Sequence, residues 1–318
     1  MRGAPCSGRA HSGVVVVCGV TSDVADCCDM IAMLFAAFVV LLMSSPRQVY
    51  AALIDTLSFE PPFNEVDSSG TRTVSKNWKS GGATMVSQNF VRLTPDRQSK
   101  KGSLWSRRAL GVDSMSSILK FRISGQAKTF FGDGIAMWIT HNTYYTEGDV
   151  HGCAEKFMGI GIIFDTFKNT ESLAAHRDVT ILINDGEKTW DMMTEDVQGC
   201  NMNVRYHNER ADFTALDASR VQVMVTDTSL KVMVDAKNSG EWLECANLEK
   251  LDLPAGWLRD AFIGLTASTG QLADNHDVIS LVTDSESTQA IADVVDQHGS
   301  KTRIEYDMAL SPMDTDRM

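Results

Sequence analysis

Leu119, Phe121 and Ile123 are separated by Lys120 and Arg122, and this period of two predicts a strand with one buried face. Residues 134–139 and 159–164 are apolar without interruption, which predicts strands covered on both faces. The apolar run 179–183 leads into Asn184-Asp185-Gly186, a hairpin-turn signal. Runs 221–225 and 230–234 flank Asp227-Thr228-Ser229 and predict a second hairpin, while 262–267 and 278–282 close the series. No amphipathic helix longer than about three turns is expected between Leu53 and Val282. So many strands in one region predict an all-β sandwich or barrel.

The two ends of the chain read differently. Residues 30–43 carry no charge, but a spanning helix needs roughly 20 apolar residues. With small residues at Val49 and Ala51, residues 1–51 read as a signal peptide with an extended leading region, the true start being Met30 or Met33. The rival is an uncleaved signal anchor, the one route to membrane association. Residues 284–318 hold eight acids and three bases with little aliphatic content, and read as an acidic, flexible or weakly helical tail. The folded domain is therefore expected over 52–283.

Composition narrows the function. The 318 residues carry 29 Lys and Arg against 41 Asp and Glu, a formal charge of -12, which repels phosphate backbones and argues against a nucleic-acid partner. Residues 1–51 are charge-balanced, so the remainder keeps that field. Of seven cysteines only Cys153, Cys200 and Cys245 lie beyond residue 51. They allow one disulfide and one spare thiol in an oxidising compartment. No Cys-x-x-Cys pair suggests a thiolate zinc site.

Three clusters carry candidate chemistry. In Phe164-Asp165-Thr166-Phe167-Lys168-Asn169, an extended chain would turn Asp165, the Phe167 carbonyl and Asn169 to one side. Those are hard oxygen donors of the kind calcium takes, although a turn in which Asp and Asn cap their own backbone fits as well. Phe131-Gly132-Asp133-Gly134 precedes the first continuous apolar run. The third cluster is a polar loop from Ala267 to Asp277, in which His276 is expected to be satisfied by neighbouring acids rather than catalytic.

Taken in order, Gly132-Asp133-Gly134 with Ile135-Ala136-Met137-Trp138, then Phe164 to Asn169, then Thr269-Gly270-Gln271-Leu272-Ala273-Asp274-Asn275-His276-Asp277 resemble the L-type (legume-lectin-like) cargo lectins of the early secretory pathway. The resemblance runs from about Leu57 to Val282, and Gly102-Ser103-Leu104-Trp105 also fits. It implies a concanavalin-like β-sandwich of two large antiparallel sheets, with calcium supporting a shallow mannose pocket. It further implies Asp165, Phe167 and Asn169 as calcium ligands and a cis peptide at Gly132-Asp133. Asp133, Asn169, Ser99 and the loop Gly270, Gln271, Leu272 would be the sugar contacts. Cys200 and Cys245 match the family's disulfide, leaving Cys153 unpaired.

One stretch departs from the pattern. Where the family has Tyr-Asp-His and a following aspartate, this chain has Trp190-Asp191-Met192-Met193-Thr194-Glu195-Asp196. Met192 replaces a sugar-contacting histidine, and Asp196 rather than Glu195 is expected to complete the calcium shell, its shorter side chain suiting a tight loop. The resulting expectation is a calcium-dependent lectin for high-mannose N-glycans of secretory glycoproteins. It would work in the lumen of the endoplasmic reticulum, the intermediate compartment or the Golgi, or outside the cell. The alternative is a lectin-fold scaffold that has lost sugar binding and acts through protein contacts. An enzyme is not expected, because retaining hydrolysis needs paired carboxyls and no Glu-x-Asp-x-Glu strand is present.

Overall fold

The predicted runs form strands, and a computed structural model describes them over residues 52–144, 148, 150–167, 177–194, 197–207 and 217–285. The expected signal peptide lies outside the described residues, as does the tail from residue 286 onward. In chain order the strands are β1 (Ala52–Leu53), β2 (Trp78–Gly82), β3 (Met85–Val86), β4 (Val91–Thr94), β5 (Lys101–Ser106) and β6 (Ser114–Gly125). Then come β7 (Gly134–Thr140), β8 (Met158–Asp165), β9 (Val179–Asp185), β10 (Gln198–Cys200) and β11 (Arg205–His207). The last are β12 (Ser219–Thr226), β13 (Leu230–Asp235), β14 (Leu243–Leu248), β15 (Phe262–Ser268) and β16 (Asn275–Ser285). The described α-helices are short: α1 (Trp190–Thr194) and α2 (Trp257–Asp260).

Two sheets result. One has the order β14-β13-β12-β6-β16-β4-β3, with β1 on β16 and β11 joining β6; the other runs β10-β9-β8-β7-β15-β5-β2. Pairing is antiparallel except between β11 and β6. β16 reaches Ser285, two residues into the segment expected as tail, because β1 pairs with it there (Ala52 with Ser285, Leu53 with Asp284).

The main core fills the space between the sheets, with Leu119, Phe121 and Ile123 of β6 facing Ile135, Met137 and Ile139 of β7. A second core covers the other face of the seven-stranded sheet. It contains Trp105, Ala136, Trp138, Ile163 and Leu182 under Val150, Cys153, Phe157 and Met193. That cover is why β7 and β8 are apolar on both faces rather than alternating. Glycines make room for its indoles: a Cβ on Gly161 would lie 2.4 Å from the Trp138 ring, and one on Gly264 would lie 2.2 Å from that of Trp105. Truncating fully buried Trp138 to alanine should cost about 3–5 kcal/mol.

The hairpin around Asp227-Thr228-Ser229 forms as expected, with Val225 opposite Leu230. The one expected at Asn184-Asp185-Gly186 does not. Asn184 Oδ1 accepts from the amides of Gly186 (2.8 Å) and Lys188 (3.1 Å), turning the chain out of the sheet toward α1. β9 is instead partnered by β10, which begins at Gln198 opposite Ile181. Cys200 and Cys245 are bonded, Cα atoms 5.1 Å apart. The disulfide staples the outer strand of one sheet, β10, to the outer strand of the other, β14. Cys153 is a buried free thiol, and its burial pushes its pKa up to about 12.

Candidate functional site

Antiparallel register brings three strand ends to one level. Gly134 at the start of β7 pairs with Asp165 at the end of β8 and with Ser268 at the end of β15. Asp133, one residue before β7, therefore sits beside both. The Gly132-Asp133 peptide is cis, as the resemblance implied. Phe167 packs so closely beneath Gly132 that a Cβ there would lie 2.8 Å from its own. The Asp133 amide donates to the Ser268 carbonyl (3.3 Å), and its carbonyl accepts from the Thr166 amide (2.9 Å). Its carboxylate accepts from the Ser268 hydroxyl (3.4 Å) and from the Gly270 amide.

The second carboxylate, Asp165, accepts the Phe167 amide at 2.8 Å. The Asp165 part of the self-capping turn left open by the sequence is thus present. It takes the chain out of the extended path just where the oxygen donors of Asp165 and Phe167 begin. A third segment closes the site: Ser99, with a left-handed φ of 54°, donates its amide to the Gly270 carbonyl (3.0 Å). Gln98 Nε2 donates to the Gln271 carbonyl (2.6 Å), and Thr269 Oγ1 ties Arg97 and Lys100 into the same loop. Leu272 follows, half-buried. The fold thus gathers Ser99, Asp133, Asp165, Phe167 and Gly270–Leu272. Asn169, Glu195 and Asp196 lie outside the described residues.

Burial pushes Asp165 up to about 7, helped by the nearby charges of Asp133 and Asp178 and opposed by the Phe167 amide. Burial also raises Asp133, against the donors of Ser268 and Gly270. Among the described residues no lysine or arginine pairs with either carboxylate. Two adjacent, partly desolvated carboxylates without a counter-cation are costly unless a cation joins them. Asp165, with the Phe167 carbonyl two residues on, offers oxygen donors of the kind a hard divalent ion such as calcium takes. Among the described residues no three His, Cys, Asp or Glu side chains come together as a metal cluster.

A cleft of about 470 Å³ opens over these groups, lined by Asp133, Asp165, Phe167, Ser268, Glu155 and Trp190 among others. Trp190 was not read from the sequence as a site residue. Met192, singled out there, is 61% exposed and is not among the residues lining the cleft. His276 differs from expectation as well. It lies in β16 rather than a loop, is fully buried, and its Nδ1 is 2.7 Å from the Thr94 hydroxyl. The acids expected to satisfy it are taken by arginines: Asp277 by Arg92 and Arg122, and Asp274 by Arg205 at 2.8 Å through both oxygens. Burial holds His276 down at about 3, so it is neutral and structural. Arg205, also missed, stacks over Phe131 at 3.8 Å, bridging the segment before Asp133 and the loop after Leu272.

Comparison with known proteins places this arrangement. The family model described as the legume-like lectin family matches residues 52–292. Human vesicular integral-membrane protein VIP36 is 31% identical over 210 residues, 64% of this chain and 55% of that protein. The mouse VIP36-like protein is 33% identical over 233 residues, 70% of this chain and 62% of that one. The chain thus spans little more than half the length of these curated relatives. The VIP36 exoplasmic/lumenal domain, solved in a Ca²⁺/Man3GlcNAc-bound form, superposes with a TM-score of 0.63 at 27% identity, covering 76% of this chain and 92% of that one. A legume lectin-like domain from Entamoeba histolytica shares the fold, with a TM-score of 0.56 at 20% identity over 74% of this chain. Two sheets, the converging strand ends and a family match over three-quarters of the sequence lead to one assignment: the chain belongs to the legume-like lectin family.

Proposed function

We propose that this chain is a calcium-dependent lectin that binds high-mannose N-glycans of glycoproteins in the lumen of the secretory pathway. The observation that carries this reading is the Asp133 carboxylate, fixed by Ser268 and Gly270 beside Asp165, which pairs with no lysine or arginine among the described residues. Sugar hydroxyls exchange water for protein, and each neutral hydrogen bond nets only about 0.5–1.5 kcal/mol. Such a ligand needs a fork of donors and acceptors that is already ordered before it arrives. Asp133 offers the acceptors, the Gly270–Leu272 backbone and Ser99 the donors, and Asn169 an amide. Asp165, the Phe167 carbonyl, Asn169 and Asp196 would hold the ion. The ion's contribution is to neutralise and lock the loops. The relatives add support, since VIP36 has been solved with calcium and with mannose, mannobiose and Man3GlcNAc, and the domain solved is exoplasmic or lumenal. The reading is one of binding, not of catalysis.

The test is a high-mannose glycan array probed with the full chain, with calcium and again with EDTA. Binding that disappears with EDTA and in Asp133→Ala supports the lectin. Silence in both conditions, with calcium still raising the melting temperature, would overturn sugar binding and leave a protein-binding scaffold.

A further inference from the structure

The antiparallel order carries the described end of the chain away from the cleft. β16 starts at Asn275, just after the loop of Gly270 to Leu272, and ends at Ser285, which pairs with Ala52 and with Met115 near the start of β6. β5 runs the same way, from Lys101, paired with Ser268 at the level of the site, to Ser106 at the far end. Four exposed cations gather where β5 ends: Lys76, Lys79, Arg107 and Arg108. We propose that residues 286–296, which follow β16 directly, dock against this basic edge of the seven-stranded sheet.

The cluster is built by the sheet. Trp78 pairs with Ser106 and Lys79 with Trp105, and the Arg107 amide donates to the Asn77 carbonyl (2.8 Å), which carries the ladder past the end of β5. Arg107 Nε also donates to the Trp78 carbonyl (3.4 Å), and Lys79 Nζ lies 4.5 Å over the Tyr144 ring. None of the four pairs with an Asp or Glu among the described residues, whereas Arg259 at the same end is held by Asp113. Like charges set side by side repel one another until an anion joins them. Residues 286–296 supply one, with Glu286, Asp293 and Asp296 and no lysine or arginine. A segment of that length reaches about 16 Å as a helix and about 36 Å extended, against a sheet spacing of about 10 Å. Because it is tethered at Ser285, its local concentration is on the order of millimolar, so weak exposed pairs are enough to hold it. β2 is an outer strand with a free edge among the described residues, and the docked segment covers it. Since β16 leaves at the end remote from Asp133, this contact stands whether or not the cleft binds sugar.

Zero-length carbodiimide coupling of the full chain, at low protein concentration and low ionic strength, tests this. Mass spectrometry should find amide links from Lys76 or Lys79 to Glu286, Asp293 or Asp296. When isotope-labelled and unlabelled protein are mixed the links should stay within one chain, and high salt should lower their yield about fivefold or more. Arg107→Glu combined with Arg108→Glu should lower it by a similar factor, with the melting temperature unchanged because both side chains are exposed. Trypsin cleavage after Arg107 and Arg108 gives a second readout. It should run about threefold faster or more in the full chain carrying Glu286→Gln, Asp293→Asn and Asp296→Asn. Links formed only between differently labelled chains would give the edge to a second copy and overturn the proposal. So would a segment that couples to other lysines instead, or an absence of links together with unchanged trypsin cleavage.

Discussion

Replacing Arg205 with alanine should damage the domain far more than an ordinary surface change. Its guanidinium meets both oxygens of Asp274 at 2.8 Å, and the two side chains are 9% and 0% exposed. Removing the cation strands a fully buried carboxylate, which costs about 3–5 kcal/mol, and also removes the stacking on Phe131, 3.8 Å away. For a domain of this size that is a fall in melting temperature of roughly 6–20 °C. The pH dependence makes the test specific. Burial already pushes Asp274 up to about 6 against the pull of Arg205, so the alanine variant must raise it further. A carboxyl with a raised folded-state pKa is easiest to bury at low pH, where it is protonated in both states, and hardest above that pKa. Thermal melts at pH 7.5 and pH 5 should therefore show a large loss at the first and a clearly smaller one at the second. Arg205→Met combined with Asp274→Leu should recover much of it, because no charge is then left unpaired. A melting temperature within 2 °C of the parent at pH 7.5, or a loss of equal size at both pH values, would refute the reasoning.

Other expectations follow from the same geometry. Gly270→Ala places a Cβ 3.3 Å from Asp133 Oδ1, so the carboxylate must shift; mannoside affinity should fall about tenfold by titration while the melting temperature barely moves. Serine at both Cys200 and Cys245 frees a loop with a sequence separation of 45, which should cost about 4 kcal/mol in denaturant unfolding. Asp165 is pushed up to about 7 when folded and titrates near 4 when unfolded, so the calcium-free domain should lose stability as pH rises from about 4 through 7. On the proposed reading, in which Asp165 holds calcium, the ion displaces that proton, so its stabilising shift in melting temperature should shrink below about pH 7. His276 has the opposite sign: folded near 3 and unfolded near 6.5, it opposes folding as pH falls, and His276→Gln should relieve about 1.4 kcal/mol per pH unit below 6.5.

The strands were legible because burial leaves a periodic mark. Leu119, Phe121 and Ile123 alternate since only one face of β6 meets the main core, and β7 lacks alternation since both of its faces are covered. The turn at Asn184 misled because its side chain makes the same local bonds whether or not a partner strand follows immediately. The arginine partners of Asp274 and Asp277 left no local trace. Arg205 lies 69 residues from Asp274, and Arg92 lies 185 residues from Asp277. The pairing of Cys200 with Cys245 came from resemblance alone, since three cysteines permit three pairings and spacing selects none. Trp190 escaped because its place at the cleft depends on the fold bringing α1 to Glu155, 35 residues away, and no local pattern marks that.

The position of the carboxylates is a consequence of the core rather than an addition to it. Gly134 is bonded in register to Asp165 on one side and Ser268 on the other, and a Cβ at Gly134 would lie 2.2 Å from the Phe164 carbonyl oxygen. A slip of one residue in either pairing would carry Asp133 away from its partners and exchange the inward and outward faces of β7. In a sheet with one wet face such a slip costs one set of contacts. Here it would drive Trp138 into the space between the sheets and Ile135, Met137 and Ile139 into the outer cluster, where the fit is set by Gly161, Gly264 and Phe157. Two cores therefore enforce one register, and that register brings Asp133, Asp165 and Ser268 together, so packing in the second core fixes where the carboxylates stand.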